Sequence, residues 1–125
     1  MKNVNLQPFV ILALNYDHAE EEIVHLRELD LNIKALRGSY KGTKERSYLV
    51  IVDTISDFKK AIKLADNANQ ESILYVDKER EASLIPINSE MPQQYLGNWK
   101  EYFGDVSNLD AWTQDPSTGR YYICE

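Results

Sequence analysis

Two short segments carry side chains able to hold or polarise a small molecule. The first is Gly38-Ser39-Tyr40-Lys41-Gly42-Thr43-Lys44-Glu45. Its two glycines permit close backbone approach and a positive φ, Tyr40 offers a ring face and a phenol, and Glu45 offers a carboxylate. The plainer reading of the same residues is a hairpin loop with a solvated glutamate and a tyrosine resting on the sheet. The second segment is Asn69-Gln70-Glu71-Ser72. It either contacts a ligand or satisfies the last carbonyls of a helix before a strand begins. Asn15, at the end of an apolar run, is open to the same two readings: ligand contact, or part of a helix entry turn.

The rest of the composition narrows the chemistry. His18 and His25 are two helical turns apart and lack a close third ligand, so no metal site is expected. The one cysteine, Cys124, allows neither an internal disulfide nor a Cys-x-x-Cys pair, which fits a reducing compartment. There is no Gly-x-Gly-x-x-Gly, Walker loop, serine nucleophile elbow or His-Glu-x-x-His. Any chemistry must rest on carboxylates, tyrosines and backbone groups, with no cofactor expected. Fourteen Lys and Arg against twenty Asp and Glu give a net charge of −6, the wrong sign overall for gripping a phosphate backbone or an anionic membrane. The longest apolar stretch, Phe9 to Leu14, is far short of the roughly twenty residues that span a bilayer, and Met1 to Asn5 carries no export signal. A cytoplasmic protein without nucleic-acid or membrane partners is the expectation.

At 125 residues and 43% hydrophobic content, the chain has room for one domain. Phe9 to Tyr16 reads as a buried strand. Asp17 and Glu20 then form a capping box ahead of Ala19, Ile23, Leu26 and Leu29, the apolar stripe of a helix to about residue 31. Asn32 to Tyr40 and the β-branched run Arg46 to Asp53 read as strands joined by a loop over Gly38 to Thr43. Thr54 and Asp57 repeat the capping signal for a second helix to about Asn69, with Ile55, Phe58, Ala61, Ile62 and Ala65 on one face. Ser72 to Asp77 and Ala82 to Ile87 are further strands, and Pro86 places the latter at an edge or near its end. The order strand, helix, strand, strand, helix, strand predicts an α+β, ferredoxin-like βαββαβ fold over residues 8–88, an antiparallel sheet with both helices on one face. Residues 89–125 form a C-terminal extension with a hairpin signal between Trp112 and Tyr122. The aromatic set Tyr95, Trp99, Tyr102, Phe103, Trp112, Tyr121 and Tyr122 lacks an interleaved basic stripe in the sequence, so it reads as core and interface, with one or two members capping a ligand.

Five pieces taken in order, Ala13-Leu14-Asn15, Gly38-Ser39-Tyr40, Thr43-Lys44-Glu45-Arg46-Ser47, Asn69 to Tyr75 and the closing Trp112 to Tyr122, resemble the phage S-adenosylmethionine lyases and a related bacterial domain of unknown function. The phage enzymes degrade S-adenosylmethionine and counter restriction. The resemblance implies a PII-like trimer of ferredoxin-like subunits with substrate bound between them. It implies catalytic roles for Tyr40 and Glu45, and substrate contacts from Asn15, Gly38, Ser39, Gln70, Glu71 and Ser72. It also implies a reaction in which the substrate's own carboxylate expels 5′-methylthioadenosine to leave homoserine lactone. The loop between Tyr40 and Glu45 is several residues shorter than in the phage enzyme. That difference favours a second reading, a non-catalytic PII-like trimer that binds or sequesters an adenine nucleotide or S-adenosylmethionine; a third is a protein inhibitor acting through its acidic surface and aromatic tail.

Overall fold

A computed structural model of the chain describes residues 7–12, 33–67, 70–87 and 90–125. The strands are β1 (Phe9–Leu12), β2 (Ile33–Tyr40), β3 (Thr43–Ile51), β4 (Ser72–Val76), β5 (Glu81–Pro86), β6 (Gln94–Tyr102), β7 (Ala111–Gln114) and β8 (Tyr121–Cys124). One helix, α1 (Ile55–Asn67), lies between β3 and β4, and a 3-10 turn covers Val106–Asn108. The strands form a closed barrel in the order β1-β3-β2-β7-β8-β6-β5-β4. Every neighbouring pair is antiparallel.

The local signals explain the individual elements. Thr54 Oγ1 accepts the Asp57 amide at 3.0 Å, the cap that starts α1. Val10 and Leu12 of β1, Tyr48 and Val50 of β3, Val52 just after it and Ile73 of β4 then pack with Ala61, Leu64 and Ala65 of α1. Alternate residues point the other way, as the two-residue period of a strand requires. Phe9 and Ile11, Leu49 and Ile51, and Leu74 and Val76 meet Ala82, Leu96, Trp99 and Cys124 inside the barrel. At the β4–β5 turn Asp77 Oδ1 accepts the amides of Glu79 and Glu81, and Arg80 adopts φ 66°.

The ferredoxin-like expectation is overturned. An open sheet with two helices on one face leaves two edges with unpaired backbone groups, and here both are taken up by the C-terminal strands. β7 pairs with β2, Arg37 opposite Gln114, and β6 pairs with β5, Leu84 opposite Gln94. β8 joins β6 to β7 and closes the ring. Three strands of the expected C-terminal extension are therefore barrel wall. One α-helix is present among the described residues, and the expected first helix, about 17–31, lies outside them. The sequence hides β6 because its alternation is broken by a bulge. Ala82 faces Gly97 while the next residue, Ser83, faces Tyr95, which leaves Leu96 as the extra residue. Gly97 has φ 101°, and a Cβ built there falls 2.4 Å from the Glu125 carbonyl carbon, so the position needs glycine twice over.

Candidate active site

The Gly38 to Glu45 segment folds as strand, turn, strand, tighter than the loop expected. Gly38 lies opposite Glu45, Ser39 opposite Lys44 and Tyr40 opposite Thr43, leaving only Lys41 and Gly42 in the turn. Their φ values of 50° and 84° suit a two-residue hairpin whose twist matches the strands. Tyr40 is 56% exposed at the tip. The Lys41 ammonium sits 5.3 Å from its ring centroid, so the ring already receives a cation. The Lys41 amide donates to the Asp110 carbonyl at 2.6 Å, and Ala111 of β7 lies opposite Tyr40. The hairpin tip is thus tied on both sides. Glu45 is fixed in register two positions along β3 from the residue facing Tyr40.

Gln70, Glu71 and Ser72 lead into β4. The Gln70 amide donates to the Ala65 carbonyl at 2.9 Å, which terminates α1, and the Glu71 carbonyl accepts the Ile87 amide at 2.8 Å. Gln70 Nε2 is buried without a hydrogen-bond partner among the described residues. A buried donor needs an acceptor, since leaving one unmet costs about 1–3 kcal/mol, and this one sits within the candidate set. Ser72 pairs with Pro86 at the end of β5.

Strand directions bring these segments to one end of the barrel. Ile11 pairs with both Leu49 and Leu74, so β1 runs toward the end of the barrel at which β3 and β4 begin, the end that also carries the β2–β3 turn. At that end Glu71 and Ser72 join Leu84, Pro86, Ile87, Met91, Pro92 and Gln94 around a cavity of about 480 Å³. Small-molecule sites span roughly 300–1,000 Å³ and combine apolar walls with a few polar groups, as this one does. Met91, Pro92 and Gln94 were not among the sequence candidates. Their signal is faint, a proline and a polar pair at the point where the sequence pattern changes. Asn15 and Asn69, with His18 and His25, lie outside the described residues.

The groups with displaced titration occupy other places. Burial pushes the Cys124 thiol up to about 11, so it is neutral at physiological pH and unsuited to nucleophilic attack. Burial raises the Tyr75 phenol, reinforced by Asp77 and Glu79, and lowers Arg80, opposed by Asp77. Arg80 donates to the Gln7 carbonyl at 3.0 Å and lies 5.6 Å from the Phe9 ring centroid.

A model of the S-adenosylmethionine lyase family matches residues 14–125, which takes in the hairpin, the approach to β4, the cavity and all three closing strands. The chain belongs to this family. It is an enzyme, an S-adenosylmethionine lyase, and S-adenosylmethionine is its small-molecule substrate. No curated protein matches the chain. No helix among the described residues of the lyase is long and apolar enough to cross a membrane.

Proposed function

We propose that the lyase splits S-adenosylmethionine into 5′-methylthioadenosine and homoserine lactone at the barrel end that carries the β2–β3 hairpin and the approach to β4. One substrate carboxylate oxygen forms a bond to Cγ, the Cγ–S bond breaks, and its electron pair returns to the sulfonium sulfur. No proton need move and no protein nucleophile is required, which suits a site whose candidates are a tyrosine, carboxylates, amides and hydroxyls. The protein bends the substrate into attack geometry and excludes water.

The observation that carries this reading is the substrate-sized cavity lined by Glu71 and Ser72, at the same end of the barrel as the β2–β3 hairpin. In this proposal Tyr40 and Glu45 attract the sulfonium, which takes the place of the Lys41 ammonium over the Tyr40 ring. Gly38, Ser39, Gln70, Glu71 and Ser72, with Asn15, hold the two ends of the substrate. Incubating the protein with S-adenosylmethionine and assaying both products is the direct test; no turnover by folded protein refutes it. Glu45→Gln and Tyr40→Phe should slow turnover without unfolding the chain, and unchanged rates in both would remove them from the site.

Within the same proposal the enzyme depletes the methyl donor in a host cytoplasm and so blunts restriction, and a homotrimer shares each site between subunits. Restriction of an incoming phage in cells expressing the protein, compared with Glu45→Gln, tests the first, and the mass in solution tests the second.

A further inference from the structure

The cavity beside β4 has two kinds of wall. Leu84, Pro86, Ile87, Met91 and Pro92 make most of it apolar, and Glu71, Ser72 and Gln94 add a carboxylate, a hydroxyl and an amide. Gln94 opens β6 opposite Leu84, which itself lies opposite Leu74, so this amide is held on the sheet rather than on a loop. It offers one acceptor and two donors. The register also sets how far the cavity lies from Tyr40 and Glu45. Leu49 and Leu74 both face Ile11; Glu45 lies four residues before Leu49, and Ser72 two before Leu74. At about 3.4 Å per residue and about 4.8 Å per strand, the Glu45 and Ser72 backbones are roughly 12 Å apart.

S-adenosylmethionine carries two long arms on its sulfonium. For the lactone to form, the amino-acid arm has to curl until its carboxylate reaches Cγ, so it stays close to the sulfur. The adenosyl arm runs outward through the ribose to a flat purine, and it is the one that reaches from Tyr40 and Glu45 to the cavity. The wall chemistry agrees. An apolar recess with a few placed polar groups suits a purine face, whereas a zwitterion would lose water against Leu84, Pro86 and Ile87 without repayment. A glutamine amide pairs with adenine through two bonds at once. We infer that this cavity is the adenine subsite and that Gln94 is its specificity-determining residue, accepting from the exocyclic amine while donating to the ring nitrogen beside it. The inference rests on the placement of the sulfonium at Tyr40 and Glu45 proposed above, and it assigns the cavity to one arm of the substrate.

The test is isothermal titration calorimetry of the whole chain with 5′-methylthioadenosine, the adenosyl arm by itself, and with the analogue whose purine lacks the exocyclic amine. The wild-type chain is expected to bind the first about fivefold more tightly, the lower end for a bidentate pair with adenine. Gln94→Leu, at an exposed position, should keep the melting temperature and bind the two ligands with equal affinity. In turnover the same variant should raise KM by about fivefold, with the loss falling on KM rather than kcat, the mark of an interaction made equally in ground and transition states. No binding of 5′-methylthioadenosine by the wild-type chain at about 1 mM ligand overturns the inference. So does a Gln94→Leu chain that still prefers the amine, or one whose loss falls on kcat alone. The two readings fail separately. A chain that forms no lactone yet discriminates through Gln94 refutes the reaction proposed above and keeps the subsite, whereas normal turnover without that discrimination keeps the reaction and removes the subsite.

Discussion

The helix-backed half of the barrel and its closing half are held by different chemistry. Around α1 the contacts are aliphatic and complete: Val10, Leu12, Val50, Ala61 and Ala65 have no exposed surface. In β6, β7 and β8 half-buried rings carry the side-chain contacts, Trp99 against Phe9 and Tyr122, and Trp112 against Tyr121. Stability there rests more on backbone pairing and on specific polar anchors. The Asn98 and Glu125 backbones bond reciprocally, and Asp115 collects Lys34 and both donors of Ser117. Close packing tolerates little change, whereas a wall of anchors fails one anchor at a time.

The largest effect that tests this contrast is Leu12→Ala, which should cost about 2–5 kcal/mol in chemical denaturation because the filled space around α1 cannot collapse. A loss comparable to that of a surface substitution would erase the difference between the halves. Gly97→Ala should cost about 1–3 kcal/mol from the positive φ, with further loss as the Glu125 backbone is displaced, and should broaden NMR signals in β6 and β8 first. Asp115→Asn comes next, at about 1–2 kcal/mol near neutral pH, since an amide replaces a charged acceptor facing Lys34. Burial pushes the Asp115 carboxyl up, but donation from Lys34 and Ser117 outweighs it and holds the group below its usual range. With the folded value lowered, the stabilisation is complete above the ordinary carboxylate range near pH 4 and is lost as pH falls through the lowered value. The gap between wild type and Asp115→Asn should therefore narrow on acidification below about pH 4. Tyr40→Ala is the smallest change, within about 0.5 kcal/mol in stability, because the ring is mostly exposed.

The same contrast governs what the sequence discloses. Aliphatic period and capping residues are local, so β3 at Thr43–Ile51, α1 at Ile55–Asn67 and β4 at Ser72–Val76 fall on segments readable from Arg46 to Asp53, Thr54 to Asn69 and Ser72 to Asp77. Closure depends on Arg37 finding Gln114 and Leu84 finding Gln94, pairings between distant residues that no neighbouring residue announces. The bulge at Leu96 and Gly97 shifts the alternation of β6 midway, so its second half reads out of phase with its first. Within the candidate site, the Gly38 to Glu45 and Gln70 to Ser72 segments carry telling residue types. The cavity wall at Met91, Pro92 and Gln94 became visible only when β5 and β6 were brought together.

The tying of the hairpin tip between β3 and β7 bears on how this enzyme ages under heat. A site on a loose loop is lost while the rest of the molecule is intact, and activity then fades well below the melting temperature. Tyr40 sits in a strand with a bonded neighbour on each side, and Lys41 holds the chain of Asp110. There is no soft step at that position to give way early. Heat should extinguish the lyase and unfold its barrel together, so that the inactivation curve and the melting curve fall on one another.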